Sequence, residues 1–310
     1  MTASRGMTAL LRRCSLPFAA LLLAAWAGLA AASDPHPIKH GEGRMWRVER
    51  GTAPPSHIIG TMHVSDRRVR NLPQPIQEVF QRSEQAAFEL RFTPEEREAV
   101  LAGTGQTRAC RCDLAGQLDK KTYARVVARA AKYGLPAKVV GQLHPFMLIY
   151  IFSMPPEEYR RQLDGDLALD FYLIQWAYDL GMRVEGLETL EEHMGVFDLI
   201  PERDFAEVMR EQLDRLDAEP GQYEQLLQDY LVGDMRRTYR EFQEEAERDA
   251  SARRFKEAFL DQRNRAMVER MIPLLERGRA FVAVGALHMP GEEGILSLLE
   301  RRGYRVTRVH

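Results

Sequence analysis

The segment AFVAVGALH, from Ala280 to His288, is the feature that most limits how this chain can fold. It is an almost unbroken apolar run of small and β-branched residues. A strand that is apolar on both faces needs cover on both faces, so the run predicts a central strand with helices above and below it. The apolar run is broken at Gly285, and His288 follows three residues later.

The same pattern occurs once more, near the start of the chain. The stretch SHIIGTMHVSD, residues 56–66, predicts an apolar strand that ends at Gly60, with His63 three residues later. MWRVERG, residues 45–51, alternates apolar and polar side chains, and the turn TAPPS joins it to HIIG, so the two segments predict a hairpin. Because the two Gly-x-x-His units stand near opposite ends of the chain, they can meet only through the fold.

The remaining segments predict an α/β fold. AAFEL, MRVEGLE and YRVTRV have strand character, and MRVEGLE predicts a short buried strand. TYARVVARAAKYG and LALDFYLIQWAYDLG have helical periodicity, and residues from about 204 to 277 are almost wholly helical in pattern. The sequence therefore predicts a central mixed β-sheet flanked by helices, with a long helical insertion. The face that LALDFYLIQWAYDLG is predicted to bury carries Leu167, Phe171, Ile174 and Tyr178.

The N-terminus predicts export. Arg12 and Arg13 precede the apolar run LPFAALLLAAWAGLA, and AAAS then offers a cleavage site after Ala32. Residues 1–32 are therefore predicted to be a signal peptide, residues 33–44 a mobile linker, and residues 45–310 the folded α/β domain. Cleavage would leave a periplasmic or secreted protein without membrane attachment; an uncleaved anchor is the alternative.

The net charge and the cysteine content limit which binding partners and which cysteine roles are expected. The formal net charge is −2 and no long basic stripe is visible, so nucleic acid is not an expected partner. Cys110 and Cys112 are the cysteines of the predicted mature chain. A strained local disulfide, two free thiols and a soft-metal site are three alternatives for this pair, and we expect a structural or incidental role.

Four polar side chains follow predicted strands. His63 and His288 end the two Gly-x-x-His units, Glu89 closes AAFEL, and Glu188 follows MRVEGL. Ligands of open α/β sheets bind at the carboxyl ends of the strands, so these groups could hold a divalent metal or act as general acid and base.

Three further residues are expected to shape the backbone at this place. Gly60 and Gly285 would permit a sharp turn or the close approach of a ligand, and Thr61 could orient that ligand.

The helical segment DQRNRAMVERM contributes two further candidates. If its apolar residues face the core, Arg263 and Asn264 could point at the sheet edge and bind an oxyanion or a carboxylate. An exposed arginine on an amphipathic helix is the alternative. His193 lies in a helix of mixed character, where the surface is the default expectation.

The chain resembles the TraB/GumN family. The resemblance rests on WRVERGTAPPSHIIGTMHVSD, FEL, GLETLEEH, FLDQRNRAMVERM and FVAVGALHMPGEEGILSLLERRGYRVTRV, in that order over nearly all of the predicted mature chain. It implies a sheet flanked by helices, with an active site built from paired Gly-x-x-His motifs and acidic residues. That family includes the Tiki proteases that act on Wnt, described as dependent on manganese or cobalt, and is distantly related to erythromycin esterases and ChaN-like proteins.

The resemblance also implies roles for individual residues. His63 and His288 match the two motif histidines, and Glu89 matches the acidic residue after a strand. His193 departs from the pattern, since glutamine is expected there in many members. Further family positions without an assigned role are matched by Glu188, Arg263 and Asn264.

Together these features predict a metal-dependent hydrolase, with a peptidase of Tiki type as the more specific expectation. His63, His288 and a carboxylate, Glu89 in the first instance, would hold a divalent metal (Mn, Co or Zn). The remaining carboxylate, Glu89 or Glu188, would take a proton from water, and Arg263 would stabilise the oxyanion. The alternatives are a metal-independent, esterase-like hydrolase and a non-catalytic protein that binds metal, haem or peptide. The substrate would be a peptide or a small molecule, and the helical insertion could be a lid or a homodimer surface.

Overall fold

The computed structural model describes residues 37–93, 114–143, 145–199, 204–219 and 221–310. The predicted signal peptide, Cys110, Cys112 and His144 lie outside these ranges. In the part of the chain that the structure describes, no helix combines the length and the apolarity that a membrane span requires.

A six-stranded mixed sheet lies at the centre. Its strands are β1 (Met45–Glu49), β2 (Ser56–Thr61), β3 (Gln85–Phe88), β4 (Arg183–Gly186), β5 (Ala280–Gly285) and β6 (Arg305–Arg308). Their order across the sheet is β4-β3-β5-β2-β1-β6. The pairs β4-β3, β3-β5 and β5-β2 are parallel, whereas β1 is antiparallel to both β2 and β6. The predicted hairpin and the predicted mixed sheet are both confirmed.

The apolar run AFVAVG is the inner strand β5, as predicted, with parallel neighbours on both sides. Phe281 and Ala283 belong to one hydrophobic core, while Val282 and Val284 belong to another. Successive side chains of a strand point to opposite faces, so the run buries both faces of the sheet.

The helices are α1 (Arg67–Arg70), α2 (Gln74–Gln81), α3 (Leu114–Gln117), α4 (Lys120–Lys132), α5 (Ala137–Val140), α6 (Pro145–Phe152), α7 (Pro156–Leu163), α8 (Leu169–Asp179), α9 (Leu190–Gly195), α10 (Phe205–Ala218), α11 (Gln222–Val232), α12 (Arg236–Glu247), α13 (Ala250–Lys256), α14 (Arg263–Arg277) and α15 (Ile295–Arg301). A π-helical turn, Glu257–Gln262, separates α13 from α14.

Helices cover both faces of the sheet. Helices α1, α2, α8 and α11 contribute to the core on one face, and α14 and α15 to the core on the other. A third core joins α3 to α6 with α10 and contains no strand residue. The predicted helical insertion corresponds to α10 to α14, so part of it packs on the sheet and part on this separate helical lobe.

Helix α8 buries a different face from the predicted one. Leu169, Leu173, Ile174 and Ala177 are buried, and only Ile174 was on the expected face. Apolar and aromatic residues surround the whole helix, so its periodicity does not define a single face. The helix also begins at Leu169, which places Asp170 in its first turn.

Two smaller expectations are also wrong. Residues 37–44, the part of the predicted linker that the structure describes, are held to the domain, because the Met235 N–H donates to the Gly41 carbonyl at 2.9 Å and the Gly43 N–H donates to the Gly233 carbonyl at 2.7 Å. Gly43 has φ +118°, a conformation that glycine adopts without steric cost. Strand β4, predicted as buried, is an edge strand whose first residue is exposed.

Candidate active site

The carboxyl ends of β2, β3, β4 and β5 lie at one edge of the sheet because these strands are parallel. His63 follows β2, Glu89 follows β3, Glu188 follows β4 and His288 follows β5. The structure therefore brings together all four residues that the strand pattern selected. Glu89 stands at the centre, with its Oε1 3.9 Å from His288 Nε2.

His288 has a fixed ring orientation. The side-chain N–H of Asn264 donates to the Glu293 carbonyl at 2.8 Å, which leaves Asn264 Oδ1 as an acceptor. His288 Nδ1 lies 2.5 Å from that oxygen and so donates to it. Burial lowers the pKa of His288 to about 4, and the neutral ring turns the lone pair of Nε2 toward Glu89.

His63 is fixed in a similar way by a different partner. Its Nδ1 donates to Asp170 Oδ2 at 2.7 Å, and the Thr61 hydroxyl donates to Asp170 Oδ1 at 2.5 Å. The negative charge of Asp170 raises the pKa of His63 to about 9, against the opposing effect of burial. The His63 side chain is 49% exposed and that of His288 only 6%, so the site opens to solvent on the His63 side.

Glu89 is held by two donors. Its Oε1 accepts the Gly285 N–H at 2.5 Å, and its Oε2 accepts Arg263 Nη2 at 2.8 Å. Burial by itself would raise the pKa of this carboxyl. The positive charges of His63 and Arg263 and the Gly285 N–H outweigh burial and hold the pKa well below its usual range, so Glu89 is ionised.

Arg263 and Glu188 form a bidentate ion pair inside the protein. Arg263 Nε and Nη2 donate to the two Glu188 oxygens at 2.8 and 2.7 Å, and Nη1 donates to the Phe259 carbonyl. Arg263 reaches the sheet edge as predicted, and it is buried rather than exposed. Carboxylates and a carbonyl already accept four of its five N–H donors, so the geometry gives little support to the predicted role as an oxyanion donor.

The two motif glycines make room for this arrangement. A Cβ on Gly285 would lie 3.1 Å from Glu89 Oε1, 3.6 Å from His288 Cδ2 and 3.7 Å from His63 Nε2. Those groups therefore surround the space that a side chain at Gly285 would fill. A Cβ on Gly60 would lie 3.0 Å from the Ala286 backbone, so that strand end tolerates only glycine without a shift.

The imidazole and carboxylate groups around Gly285 are of the types that bind a divalent metal ion. Each imidazole donates through Nδ1 to an oxygen, the arrangement that orients metal-binding histidines through their outer partners. Two imidazoles and a carboxylate suit zinc, manganese or cobalt. The residues that would hold such an ion are His63 and His288 through Nε2, and Glu89 through Oε1.

A second group of possible ligands is less suitable. One atom each from Glu89, Glu188 and His193 lie within 4.8 Å of one another. Arg263 Nη2 is 2.8 Å from Glu89 Oε2, 2.7 Å from Glu188 Oε2 and 3.1 Å from His193 Nδ1. A guanidinium nitrogen thus already occupies the centre of this group, and a metal ion there would meet its positive charge.

Sequence reasoning missed two members of the site. Asp170 was not singled out, although an acidic residue in the first turn of a predicted helix was available as a signal. His193 was assigned to the surface by default, but its Nδ1 lies 3.2 Å from Glu188 Oε2. Its helix starts at a Thr189–Glu192 capping box, which places His193 beside the ion pair.

Comparisons with known proteins identify the family of this chain. A profile of the TraB/PrgY/gumN family matches residues 44–308. A protein described as "Metalloprotease TIKI homolog" from Amphimedon queenslandica is 25% identical over 314 aligned residues, which cover 86% of this chain and 61% of the relative. The chain thus spans less than two thirds of that relative's length. No solved structure is significantly similar to this chain.

Proposed function

Because the chain belongs to the TraB/PrgY/gumN family, we propose that it is a metal-dependent hydrolase that acts on peptides, as the name of its metalloprotease relative suggests. The observation that carries the proposal is the convergence of His63 Nε2, His288 and Glu89 Oε1 around Gly285. A divalent cation bound there would lower the pKa of a water molecule and polarise a substrate carbonyl.

The other residues of the site hold these three groups in place. Asp170 and Asn264 each accept a hydrogen bond from Nδ1 of one imidazole and so fix the two rings, and metal binding at His63 Nε2 would displace the proton on that nitrogen. His63 and Arg263 supply positive charge that keeps Glu89 ionised, and Glu188 anchors Arg263.

This arrangement favours Glu89 over Glu188 as the ligand. Burial raises the pKa of Glu188, but its hydrogen bonds with His193 and Arg263 lower the pKa overall. A carboxylate bound through both oxygens to a guanidinium is a weak proton acceptor. We therefore assign Glu188 a positioning role in place of the expected role as base.

The metal-independent alternative has less support. In that mechanism His63 would take a proton from water directly, assisted by Asp170. With its pKa raised to about 9, His63 is an imidazolium at neutral pH and has no free lone pair. The surrounding carboxylates instead favour a positive charge at this position, which a bound cation would supply.

The test is metal analysis combined with a peptide-cleavage assay. Protein purified without chelator is expected to hold one divalent ion and to cleave peptides, and both properties are expected to be lost on dialysis against a chelator. Full turnover by metal-free protein would favour the alternative hydrolase, and tight metal binding without turnover would favour a binding protein.

We also propose export of the chain. The family match begins at residue 44, after the predicted signal peptide 1–32 and most of the predicted linker. N-terminal sequencing of protein from an expressing cell is expected to give Ser33 as the first residue. An intact Met1 in the exported fraction would show an uncleaved anchor.

A further inference from the structure

A buried carboxylate outside the site holds the loop that carries His63. Glu158 lies in α7, and its side chain is 0% exposed. Its Oε1 accepts the backbone N–H of Ser65 at 2.5 Å, two residues after His63. Its hydrogen bonds in the described part of the chain join it to Ser65, Arg161 and Gln162, and a buried carboxylate is costly unless specific partners satisfy it.

The partners of Glu158 bind it from its own helix. Gln162 Nε2 donates to Oε1 at 2.7 Å, and the Arg161 guanidinium binds Oε2. Gln162 Nε2 also lies 3.4 Å from the His63 carbonyl. Burial raises the pKa of Glu158, but these hydrogen bonds and that from Ser65 outweigh burial, so the carboxylate is ionised.

The next segment holds the same loop from the other side. The Leu169 N–H donates to the Val64 carbonyl at 3.1 Å, and Asp170 binds the His63 ring. The stretch from Glu158 to Asp170 therefore contacts three consecutive residues of the loop. Asp170 fixes the ring of His63, while Glu158 fixes the backbone from which that ring projects.

We propose that Glu158 is a positioning residue for His63, and that it directs His63 Nε2 toward Glu89 by fixing the Ser65 N–H. This proposal rests on the proposed metal-dependent function. An ionised acceptor suits the task because hydrogen bonds to charged groups are stronger than those between neutral groups. Helix α7 thereby contributes to the metal site without supplying a ligand.

The test compares Glu158→Ala and Glu158→Gln with the matched control Glu157→Ala. Glu157 is the preceding residue of α7, and its side chain is 65% exposed. The readouts are the Co²⁺ dissociation constant, the visible absorption spectrum of bound Co²⁺, and the exchange rate of the Ser65 amide hydrogen. Loss of an outer partner of a metal ligand typically weakens binding by about 10-fold to 100-fold.

We expect Glu158→Ala to weaken Co²⁺ binding at least about tenfold, to alter the Co²⁺ spectrum and to speed Ser65 exchange. Glu158→Gln retains an acceptor oxygen and is expected to lose less Co²⁺ affinity than Glu158→Ala. Glu157→Ala is expected to keep the wild-type Co²⁺ affinity. A folded Glu158→Ala with the wild-type constant and spectrum would overturn the proposal. If Glu158→Ala does not fold, a wild-type constant and spectrum in Glu158→Gln would overturn it. Failure of the wild-type protein to bind Co²⁺ would instead reject the proposed function.

Discussion

His288 Nδ1 lies 2.5 Å from Asn264 Oδ1, and this contact joins the loop after β5 to the first turn of α14. Asn264 cannot rotate freely, because its NH₂ group donates to the Glu293 carbonyl. The amide thus selects one tautomer of His288 and leaves Nε2 as an acceptor. The metal site that we propose depends on this selection as much as on the imidazole itself.

Asn264→Ala should weaken metal binding without removing a ligand. His288 would lose its orienting acceptor, and we expect the Co²⁺ dissociation constant to rise by about 10-fold to 100-fold. Arg265→Ala, at the next and partly exposed position of α14, is the matched control. Unchanged affinity in Asn264→Ala would show that His288 does not bind metal through Nε2.

His63→Ala and His288→Ala should each remove the bound ion and peptide cleavage while leaving the protein folded. Each substitution deletes one of three donors, and two donors hold a divalent ion poorly. Elemental analysis and circular dichroism check the two effects. His57→Ala, at the opposite end of β2 from the site, should keep its metal; a full metal content in either site variant would contradict the assignment.

Gly285→Ala should disable the site with little effect on the fold. The added methyl would lie 3.1 Å from Glu89 Oε1, within the space that the donors surround. Displacement of a reacting group by a fraction of an ångström to 1 Å costs on the order of tenfold to a hundredfold in turnover. Gly195→Ala, where an added Cβ meets nothing within 4 Å, is the control in the same assay. Equal turnover in the two variants would show that the space beside Gly285 is not used.

Arg263→Met should destabilise the protein strongly. Glu89 and Glu188 would remain buried without their shared cation, which typically costs about 3–5 kcal/mol of unfolding free energy. Urea unfolding measures the loss, and Arg265→Met should change the free energy little. If adding Glu188→Gln to Arg263→Met brought no recovery, the loss would not come from the unpaired charge.

Glu211→Gln should change how stability depends on pH. Burial raises the pKa of Glu211 to about 7, helped by the charges of Glu207 and Glu245 and opposed by Arg248. Because the folded pKa exceeds the unfolded value of about 4.5, the folded state binds the proton more tightly. Stability from this group is therefore full below pH 4.5 and is lost as the pH rises toward 7.

The Glu211→Gln variant cannot ionise and should escape that loss. At pH 8 we expect it to be more stable than the wild type by on the order of 1–2 kcal/mol, since Glu211 is partly solvated, and the advantage should vanish at pH 4. Urea unfolding at the two pH values measures the difference. Glu247→Gln, at an exposed position of α12, should match the wild type at both. An advantage of Glu211→Gln that persists at pH 4 would exclude ionisation as its cause.

The sequence predicted the sheet and the strand ends better than the helix contacts. The strand β5 was recognisable because its apolar run needs cover on both faces, and its end was marked by Gly285. Helix α8 was placed correctly, but its buried face was not, since apolar residues surround it. Without that face, Asp170 could not be assigned to the site.

The residue types at the carboxyl edge of the sheet, His63, Glu89, Glu188 and His288, were determined by the sequence alone. Local patterns are sufficient for this, because apolar periodicity defines each strand and a glycine or a charged residue ends it. Tertiary structure alone decided which groups bind one another. Asp170 is 107 positions from His63, and Arg263 is 174 positions from Glu89. Contacts over such separations depend on how helices pack on the sheet, and local periodicity carries no information about that packing.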